Sequence, residues 1–260
     1  MAPITVDGLG VDDVTIDGDV VDEITMDGDV VFTRVPDIPD SEIDHDYRWL
    51  ANDIDLSDGD PVSNWSDITG PADLSAVGSP TFRENSVNGR SSVEIDSADD
   101  GFDIDPFPGT DSLEPDGGLT FIWVFVKFNS ADDDGTLALH FGDNVDLQVR
   151  FRGGSLETRI GGGNDPSTPN VTVGDAHIGV GRWDGSEFEM RLDGEIGDQT
   201  SDSTLSSNDG QDSVGYRARD NDRRFDGQIM EGIISEEYVT DSNLQTEEQR
   251  LAEFYGITLA

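Results

Sequence analysis

The sequence predicts an all-β sandwich, with a β-hairpin repeat before it and one short helix at its C-terminal end. Its longest apolar run, residues 119–126, is far shorter than the roughly 20 residues that span a bilayer. The β-branched and aromatic content of this run is typical of a strand buried on both faces. Short alternating segments recur elsewhere, separated by glycine, aspartate and asparagine. We expect residues 119–126 to form the central strand of the core.

Residues 4–33 contain an internal repeat. Each unit has three residues of alternating apolar and polar character, then an Asp-Gly pair, and then a short apolar segment that would form the second strand of a hairpin, as in residues 24–31. An Asp-Gly pair between alternating apolar residues predicts a hairpin, because both residues tolerate a positive φ. Three hairpins of this kind bury little surface alone and need a partner surface. We therefore predict that residues 1–33 serve attachment or oligomerisation through eight apolar residues: Ile4, Val6, Val14, Ile16, Ile24, Met26, Val31 and Phe32.

This repeat resembles the short Asp/Asn-Gly hairpin openings of tailed-virus spike and fibre proteins. The resemblance implies that the N-terminal segment mounts the protein on a particle or joins copies into a ring. Residues 34–41 follow, with two prolines and several acids, and indicate an extended linker. The remaining residues, 42–260, are predicted to fold as one domain.

Short motifs follow one another in a definite order along that domain. They are a tryptophan near its start, Trp49, and then residues 65–70, 80–82, 88–96, 119–128, 190–195 and 225–234. In this order the motifs resemble the concanavalin A-like (laminin G-like) jelly roll. The resemblance implies a jelly-roll sandwich and a role in adhesion or carbohydrate binding.

One helix is predicted close to the C-terminus. Residues 246–249, Thr-Glu-Glu-Gln, have the pattern of a capping box, and their two glutamates suit the positive end of a helix. Gly256 stands where a glycine commonly ends a helix in the left-handed conformation. We expect the helix to begin at Thr246 and to stop at Gly256.

The charge balance is extreme, with 57 acidic residues against 15 basic ones and a formal net charge of -42. In dilute buffer such a surface repels itself, whereas in molar salt the Debye length falls to about 3 Å and screens the repulsion. Four tryptophans and 12 phenylalanines argue against a disordered acidic chain. The composition predicts a folded protein from a high-salt setting, a haloarchaeon or one of its viruses. The lack of a basic patch disfavours nucleic acid as a partner.

The chain contains no cysteine, which excludes disulfides and cysteine-based zinc sites. Its first residues have neither a basic segment nor an apolar stretch, so no signal peptide is predicted there and no membrane insertion is expected. A protein of this kind that works outside the cell would leave it by another route, such as the release of assembled virions.

The segment Glu94-Ile95-Asp96-Ser97-Ala98 invites comparison with the Glu-x-Asp-x-Glu strand of laminarinase-like glycosidases. Retaining glycosidases of that kind need two carboxylates about 5–5.5 Å apart. Residues 94, 96 and 98 share one face of a strand, and alanine stands where the acid is required. We therefore predict that the protein is not an enzyme.

Two clusters of aspartate could bind a hard cation such as calcium, which takes 6–8 oxygen ligands. The candidate ligands are Asp132, Asp134, Asp143 and Asp146. Acidic clusters also arise on any strongly acidic surface, so a solvated surface is the alternative interpretation. The three histidines stand alone, without the spacing of metal ligands, and predict no cofactor site.

Asn170 begins the sequon Asn-Val-Thr and is a candidate for N-glycosylation. A second sequon, at Asn64, lies inside a motif that we expect to be part of the fold.

The function favoured by these observations is a virion surface structural protein of a haloarchaeal tailed virus, such as a spike, head turret or tail fibre. Its expected partners are its own copies in a trimer or pentamer, other virion proteins, and a host surface glycan or surface-layer glycoprotein. The alternative is a secreted or cell-surface carbohydrate-binding module of a halophilic archaeon.

Overall fold

The computed structural model describes residues 15–16, 19–20, 23–26, 29–33, 40–96, 100–104, 117–129, 135–141, 147–160, 165–200, 212–216 and 224–260. The chain divides into two compact units, Met1–Asp40 and Ser41–Ala260. Each unit has its own strands and is described by itself.

The first unit contains two small antiparallel sheets of two strands each. Strand β1 (Thr15–Ile16) pairs with β2 (Asp19–Val20), and β3 (Glu23–Met26) pairs with β4 (Asp29–Thr33). Of the predicted assembly residues, Ile4, Val6 and Val14 lie outside the described residues, and Ile16, Ile24, Met26, Val31 and Phe32 lie within these strands. The three-unit repeat and its role in assembly stay predictions.

The second unit is built almost entirely of strands and ends in one helix. In chain order its elements are β5 (Tyr47–Leu50), a 3₁₀ turn (Ala51–Asp53), β6 (Asn64–Trp65), β7 (Leu74–Val77), β8 (Thr81–Val87), β9 (Arg90–Ile95), β10 (Gly101–Ile104), β11 (Leu119–Lys127), β12 (Thr136–Phe141), β13 (Leu147–Arg152), β14 (Ser155–Ile160), β15 (Ser167–Asn170), β16 (Ala176–Trp183), β17 (Phe188–Leu192), β18 (Glu195–Thr200), β19 (Ser213–Val214), β20 (Gly227–Ser235) and α1 (Asp241–Tyr255).

These strands form two antiparallel sheets of eight strands each. The first, here called the helix sheet, has the order β18-β17-β16-β11-β20-β9-β8, with β5 also paired to β20. The second, here called the facing sheet, has the order β15-β14-β13-β12-β19-β10-β7-β6. Aromatic side chains of the two sheets meet in one hydrophobic core. The prediction of an all-β protein with a C-terminal helix is confirmed.

The core is organised around β11, whose nine residues are all buried. This strand lies between β16 and β20 in the middle of the helix sheet, as its apolar pattern predicts. On its inner face, Trp123 stacks on Trp49 at 6.0 Å between ring centroids, and Phe125 meets Phe151 of the facing sheet edge-on at 5.6 Å. Offset and edge-on aromatic pairs of this kind add about 0.5–1.5 kcal/mol each beyond their burial.

Helix α1 packs on the outer face of the helix sheet and begins earlier than the sequence predicts. Its first residue is Asp241, with Thr240 as the N-cap, so the predicted start at Thr246 is wrong. Asp241 accepts hydrogen bonds from Arg182 and Arg191 of the sheet, which hold the first turn in place. The predicted end is confirmed, since Gly256 has a φ of 68° in the left-handed region.

The two glutamates that were expected at the positive end of the helix, Glu247 and Glu248, are buried against the sheet instead. Glu247 is fully buried and bonds Arg250 at 2.6 Å, and Arg250 in turn bonds Glu231 of β20 at 2.9 Å. Glu231 also accepts bonds from Arg48 at 2.9 Å and from the Tyr255 hydroxyl at 2.8 Å. The helix is therefore attached to the sheet by a buried cluster of charges, which we call the Glu231 cluster.

In the part of the chain that the structure describes, no helix combines the length and the apolar character that crossing a membrane requires.

Candidate functional site

A cleft of about 630 Å³ opens in the second unit where helix α1 ends against the helix sheet. We call it the end cleft. Its volume is within the range of about 300–1,000 Å³ that is usual for small-molecule sites. It is lined by Ser86, Val87, Asn88, Val126, Phe128, Gly174, Asp175, Ala176, His177, Asp193, Gln228, Gly256, Ile257 and Thr258.

One wall of the end cleft is the hairpin between β8 and β9. Its two-residue turn consists of Asn88 and Gly89, with φ values of 49° and 78°, and Val87 is paired with Arg90. Two central residues with positive φ define the type I′ turn that asparagine-glycine favours. The Asn88 side chain donates a hydrogen bond of 2.5 Å to the carbonyl of Tyr255, which ties this turn to the end of the helix.

The floor of the cleft comes from the middle of the helix sheet. Val126 of β11 is paired with Gln228 of β20, and Gln228 is paired with Glu94 of β9, so the three side chains share the outer face. The Gln228 amide donates to Glu94 at 3.3 Å. Glu94 also accepts two hydrogen bonds from Arg83, at 3.0 and 2.8 Å, and Arg83 holds the pKa of Glu94 below its usual range.

The opposite wall contains a hydrogen-bonded pair, His177 and Asp193. His177 Nδ1 lies 2.6 Å from Asp193 Oδ2, and His177 Nε2 lies 3.0 Å from the Thr172 carbonyl. The other oxygen of Asp193 accepts from the backbone of Ile178 at 2.8 Å, which fixes the carboxylate. Burial lowers the pKa of His177, but the hydrogen bond and negative charge of Asp193 outweigh burial, so this pKa lies above its ordinary value.

The rim of the cleft carries an aromatic ring and a carboxylate that are open to solvent. Phe128 is 42% exposed, which is unusual for phenylalanine, and Asp175, which also lines the cleft, is exposed as well. A flat apolar face together with carboxylate and amide groups can stack on one side of a sugar ring and bond its hydroxyls. The end cleft therefore combines an exposed apolar face with hydrogen-bonding groups.

The candidate residues singled out in the sequence are not among the described residues that line the end cleft. Asp132, Asp134, Asp143 and Asp146 fall outside the described residues, so calcium binding there stays a prediction. Within the described ranges, no three histidine or carboxylate side chains are grouped as metal ligands. Asn170 is exposed at the end of β15, and its glycosylation stays a prediction.

Sequence reasoning missed the end cleft, although parts of it were visible. The Asn88-Gly89 pair and the Asp193-Gly194 pair are turn signals in the sequence, and both border the cleft. In the sequence His177 stands alone, because its hydrogen-bond partner, Asp193, lies 16 positions later, just after the next strand. Nothing in the sequence predicts that the Phe128 side chain is exposed, because this residue directly follows the apolar run that forms the buried strand β11.

No protein-family model and no curated protein sequence matches this chain. Its fold is nevertheless similar to several solved structures. One is a Trypanosoma rangeli sialidase in complex with sialic acid, 10% identical, with a TM-score of 0.57 over 81% of this chain and 32% of the sialidase. The present chain thus spans about a third of that protein.

A second similar structure is domain 4 of AbnA, an extracellular GH43 arabinanase from Geobacillus stearothermophilus, in complex with arabinotriose. It is 12% identical, with a TM-score of 0.53 over 74% of this chain and 100% of that domain. A third is the binding domain of Paraclostridial Mosquitocidal Protein 1, 13% identical, with a TM-score of 0.55 over 77% of this chain and 54% of that one. At these identities the likeness shows the fold alone, a fold present in carbohydrate-binding and glycosidase-related proteins.

The prediction that the protein is not an enzyme is wrong, because its structural neighbours include glycoside hydrolases. It rested on Ala98, which stands where one class of retaining glycosidase has its acid. Two of the three similar structures come from glycoside hydrolases of other kinds, a sialidase and an arabinanase. Sialidases use a tyrosine nucleophile rather than that carboxylate pair, so the alanine at position 98 does not by itself exclude hydrolysis.

Proposed function

We propose that the second unit is a carbohydrate-binding module of the concanavalin A-like (laminin G-like) jelly-roll type, which binds its glycan in the end cleft. The observation that carries this proposal is the composition of the cleft, whose lining includes exposed Phe128 together with Asp175, Asn88 and Gln228. The likeness to an arabinanase domain crystallised with arabinotriose supports it. Pairings between strands far apart in sequence, such as β5 with β20, support the jelly-roll topology.

The proposal predicts that Phe128→Ala weakens the binding of a glycan about tenfold or more, because it removes the stacking face at the rim. Titration calorimetry with arabinotriose and a panel of neutral oligosaccharides, in molar potassium chloride, measures the effect. Ile68→Ala is the matched control, since Ile68 is equally exposed at 42% and does not line the end cleft. Equal affinities for wild type and Phe128→Ala would contradict binding at this site.

The same samples, analysed by chromatography after prolonged incubation, report whether the bound oligosaccharide is cleaved. Release of shorter sugars by wild type but not by Phe128→Ala would place a hydrolytic reaction at the end cleft. Intact oligosaccharide would identify the cleft as a binding site under those conditions.

We further propose that the module is presented on the surface of a haloarchaeal virion, as a spike, head turret or tail fibre, and that the first unit mounts it there. The net charge of -42 suits a high-salt environment, and the short strand pairs of the first unit suit assembly with other chains. Its partners would be further copies, in a trimer or pentamer, and other virion proteins. A secreted or cell-surface protein of a halophilic archaeon is the alternative setting.

Deletion of residues 1–33 is expected to leave the second unit folded, soluble and monomeric, because its core residues all lie beyond position 40. Light scattering coupled to size-exclusion chromatography measures the change in mass relative to the full chain. If the truncated protein keeps the oligomeric state of the full chain, assembly does not depend on the first unit. Proteomics of virions that carry either form tests the mounting role.

A further inference from the structure

The end cleft is bordered by negative charge and not by positive charge. Asp175 and Asp193 line it, and Glu94 accepts a hydrogen bond from the Gln228 of its floor. Among the described residues that line the cleft there is no lysine or arginine, and His177 is the one that can become cationic. Both ring nitrogens of His177 already face protein oxygen atoms, Asp193 Oδ2 and the Thr172 carbonyl.

Three cationic side chains near the cleft, those of Lys127, Arg83 and Arg90, contact other groups of the protein. Lys127, the only lysine of the chain, is 2% exposed, and its Nζ lies 4.4 Å from the centre of the Phe151 ring in the core. Arg83 makes a bidentate pair with Glu94. Arg90 lies over the Phe254 ring at 3.9 Å and donates to the Phe254 carbonyl at 3.2 Å.

The end of helix α1 adds to this negative potential. Gly256, the C-cap, lines the cleft, and the last turn of the helix contains no basic residue. The C-terminal end of a helix has a partial negative charge and attracts cations rather than anions. Among the described residues, Arg90 is a cation at this helix end, where it bonds the Phe254 carbonyl and does not line the cleft. An anionic ligand in the end cleft would therefore meet the carboxylates of Asp175 and Asp193 without a lysine or arginine on the described lining.

We infer that the end cleft takes a neutral glycan and discriminates against one that carries carboxylate groups. This inference rests on the proposed function and deepens it. Sialic acid, bound in the similar sialidase, is an anion, whereas arabinotriose, bound in the similar arabinanase domain, is neutral. By charge, the end cleft of this protein fits the second kind of ligand. Its carboxylates accept hydrogen bonds from sugar hydroxyls, which are donors, but repel a carboxylate.

Matched trisaccharides test the inference. Galactotriose, cellotriose and mannotriose are each compared with the trimer of the corresponding uronic acid, in which a carboxylate replaces the hydroxymethyl group; arabinotriose is included as a further neutral probe. In 1 M potassium chloride each uronic trimer is expected to bind about tenfold more weakly than its neutral partner. The difference should shrink in 3 M salt, because screening increases with ionic strength.

Asp175→Asn separates the local charge of the cleft from the overall charge of the protein. It is expected to reduce the preference for the neutral partner about threefold or more. Asp55→Asn removes the same charge from another exposed position, which does not line the end cleft, and should leave the preference unchanged. If both variants change the preference equally, the discrimination comes from net charge and the inference about the cleft is wrong.

The remaining outcomes are also decisive. Binding of a neutral trisaccharide together with weaker or no binding of the uronic trimers supports the inference. A uronic trimer that binds as tightly as its neutral partner overturns the inference but leaves carbohydrate binding intact. If no saccharide of the panel binds, the proposed function fails and the inference fails with it.

Discussion

Replacing Glu231 by glutamine is expected to lower the free energy of unfolding by about 3–5 kcal/mol, since removing one partner of a buried ion pair leaves a buried charge uncompensated. Glu231 is fully buried between β20 and helix α1. Its two oxygens accept hydrogen bonds from Arg48, Arg250 and Tyr255 at 2.8–2.9 Å. Glutamine has nearly the same shape but offers one acceptor oxygen and no charge to two guanidinium groups.

Glu94→Gln is the matched control for this prediction. Glu94 also pairs with an arginine and lies on the neighbouring strand β9, but its side chain is 25% exposed and that of Arg83 is 34% exposed. Partly exposed pairs contribute at most about 1 kcal/mol. Chemical denaturation at constant molar salt compares the two variants, and equal losses of stability would refute the special role of the Glu231 cluster. Tyr255→Phe should give an intermediate loss of about 1.5–3 kcal/mol, as expected for one hydrogen bond to a charged group.

Replacing Glu248 by glutamine is expected to stabilise the protein above pH 7. Glu248 is 1% exposed on helix α1, and its Oε1 has no hydrogen-bond partner among the described residues. Its other oxygen lies 3.7 Å from Arg191, which already bonds Glu189 at 2.7 Å and Asp241 at 2.8 Å. Burial raises the pKa of Glu248 to about 7, so ionising this carboxyl in the folded protein is costly.

The sign of the pH dependence follows from that raised pKa. The folded protein retains a proton on Glu248 up to about pH 7, whereas the unfolded chain loses it near pH 4.5, the ordinary pKa of a glutamate. The contribution of this group to stability therefore falls as the pH rises from about 4.5 to 7, by roughly 3 kcal/mol in total. Glu248→Gln should remove this fall, with little effect at pH 4.5 and stabilisation by up to that amount at pH 8.

Unfolding of wild type and Glu248→Gln at pH 4.5 and pH 8, in the same molar salt, measures the difference. Glu253→Gln is the control, because Glu253 is exposed on the same helix and should change neither value by more than about 0.5 kcal/mol. A loss of stability in Glu248→Gln at pH 8 would show that its carboxylate is needed by Arg191.

Local patterns in the sequence were sufficient for several parts of the fold. The sequence predicts a strand at residues 119–126, because a short run of β-branched and aromatic residues has few alternatives to a buried strand, and β11 extends one residue further to Lys127. The all-β class followed from repeated alternation, and the end of helix α1 followed from Gly256, because glycine adopts a positive φ without strain. Each of these signals acts within a few residues of the chain.

The start of helix α1 could not be predicted in the same way. Residues 246–249 have the pattern of a capping box, but Glu247 and Glu248 are buried against the sheet, and the helix begins at Asp241. The groups that decide this, Arg182 and Arg191, lie on β16 and β17, at least 50 residues earlier in the chain. Pairing with distant charges outweighs a local capping preference that contributes about 1 kcal/mol.

By itself, the sequence determined the β class, the central strand, the acidic character of the surface and the end of the helix, because these depend on composition and on neighbours along the chain. The tertiary structure alone decided where the charges meet and where a ligand can bind. The end cleft combines a hairpin turn, two central strands, the loop before β16 and the end of helix α1. Their side chains come together only when long-range strand pairing has closed the sheet, since hydrogen bonding between strands sets the register that aligns them.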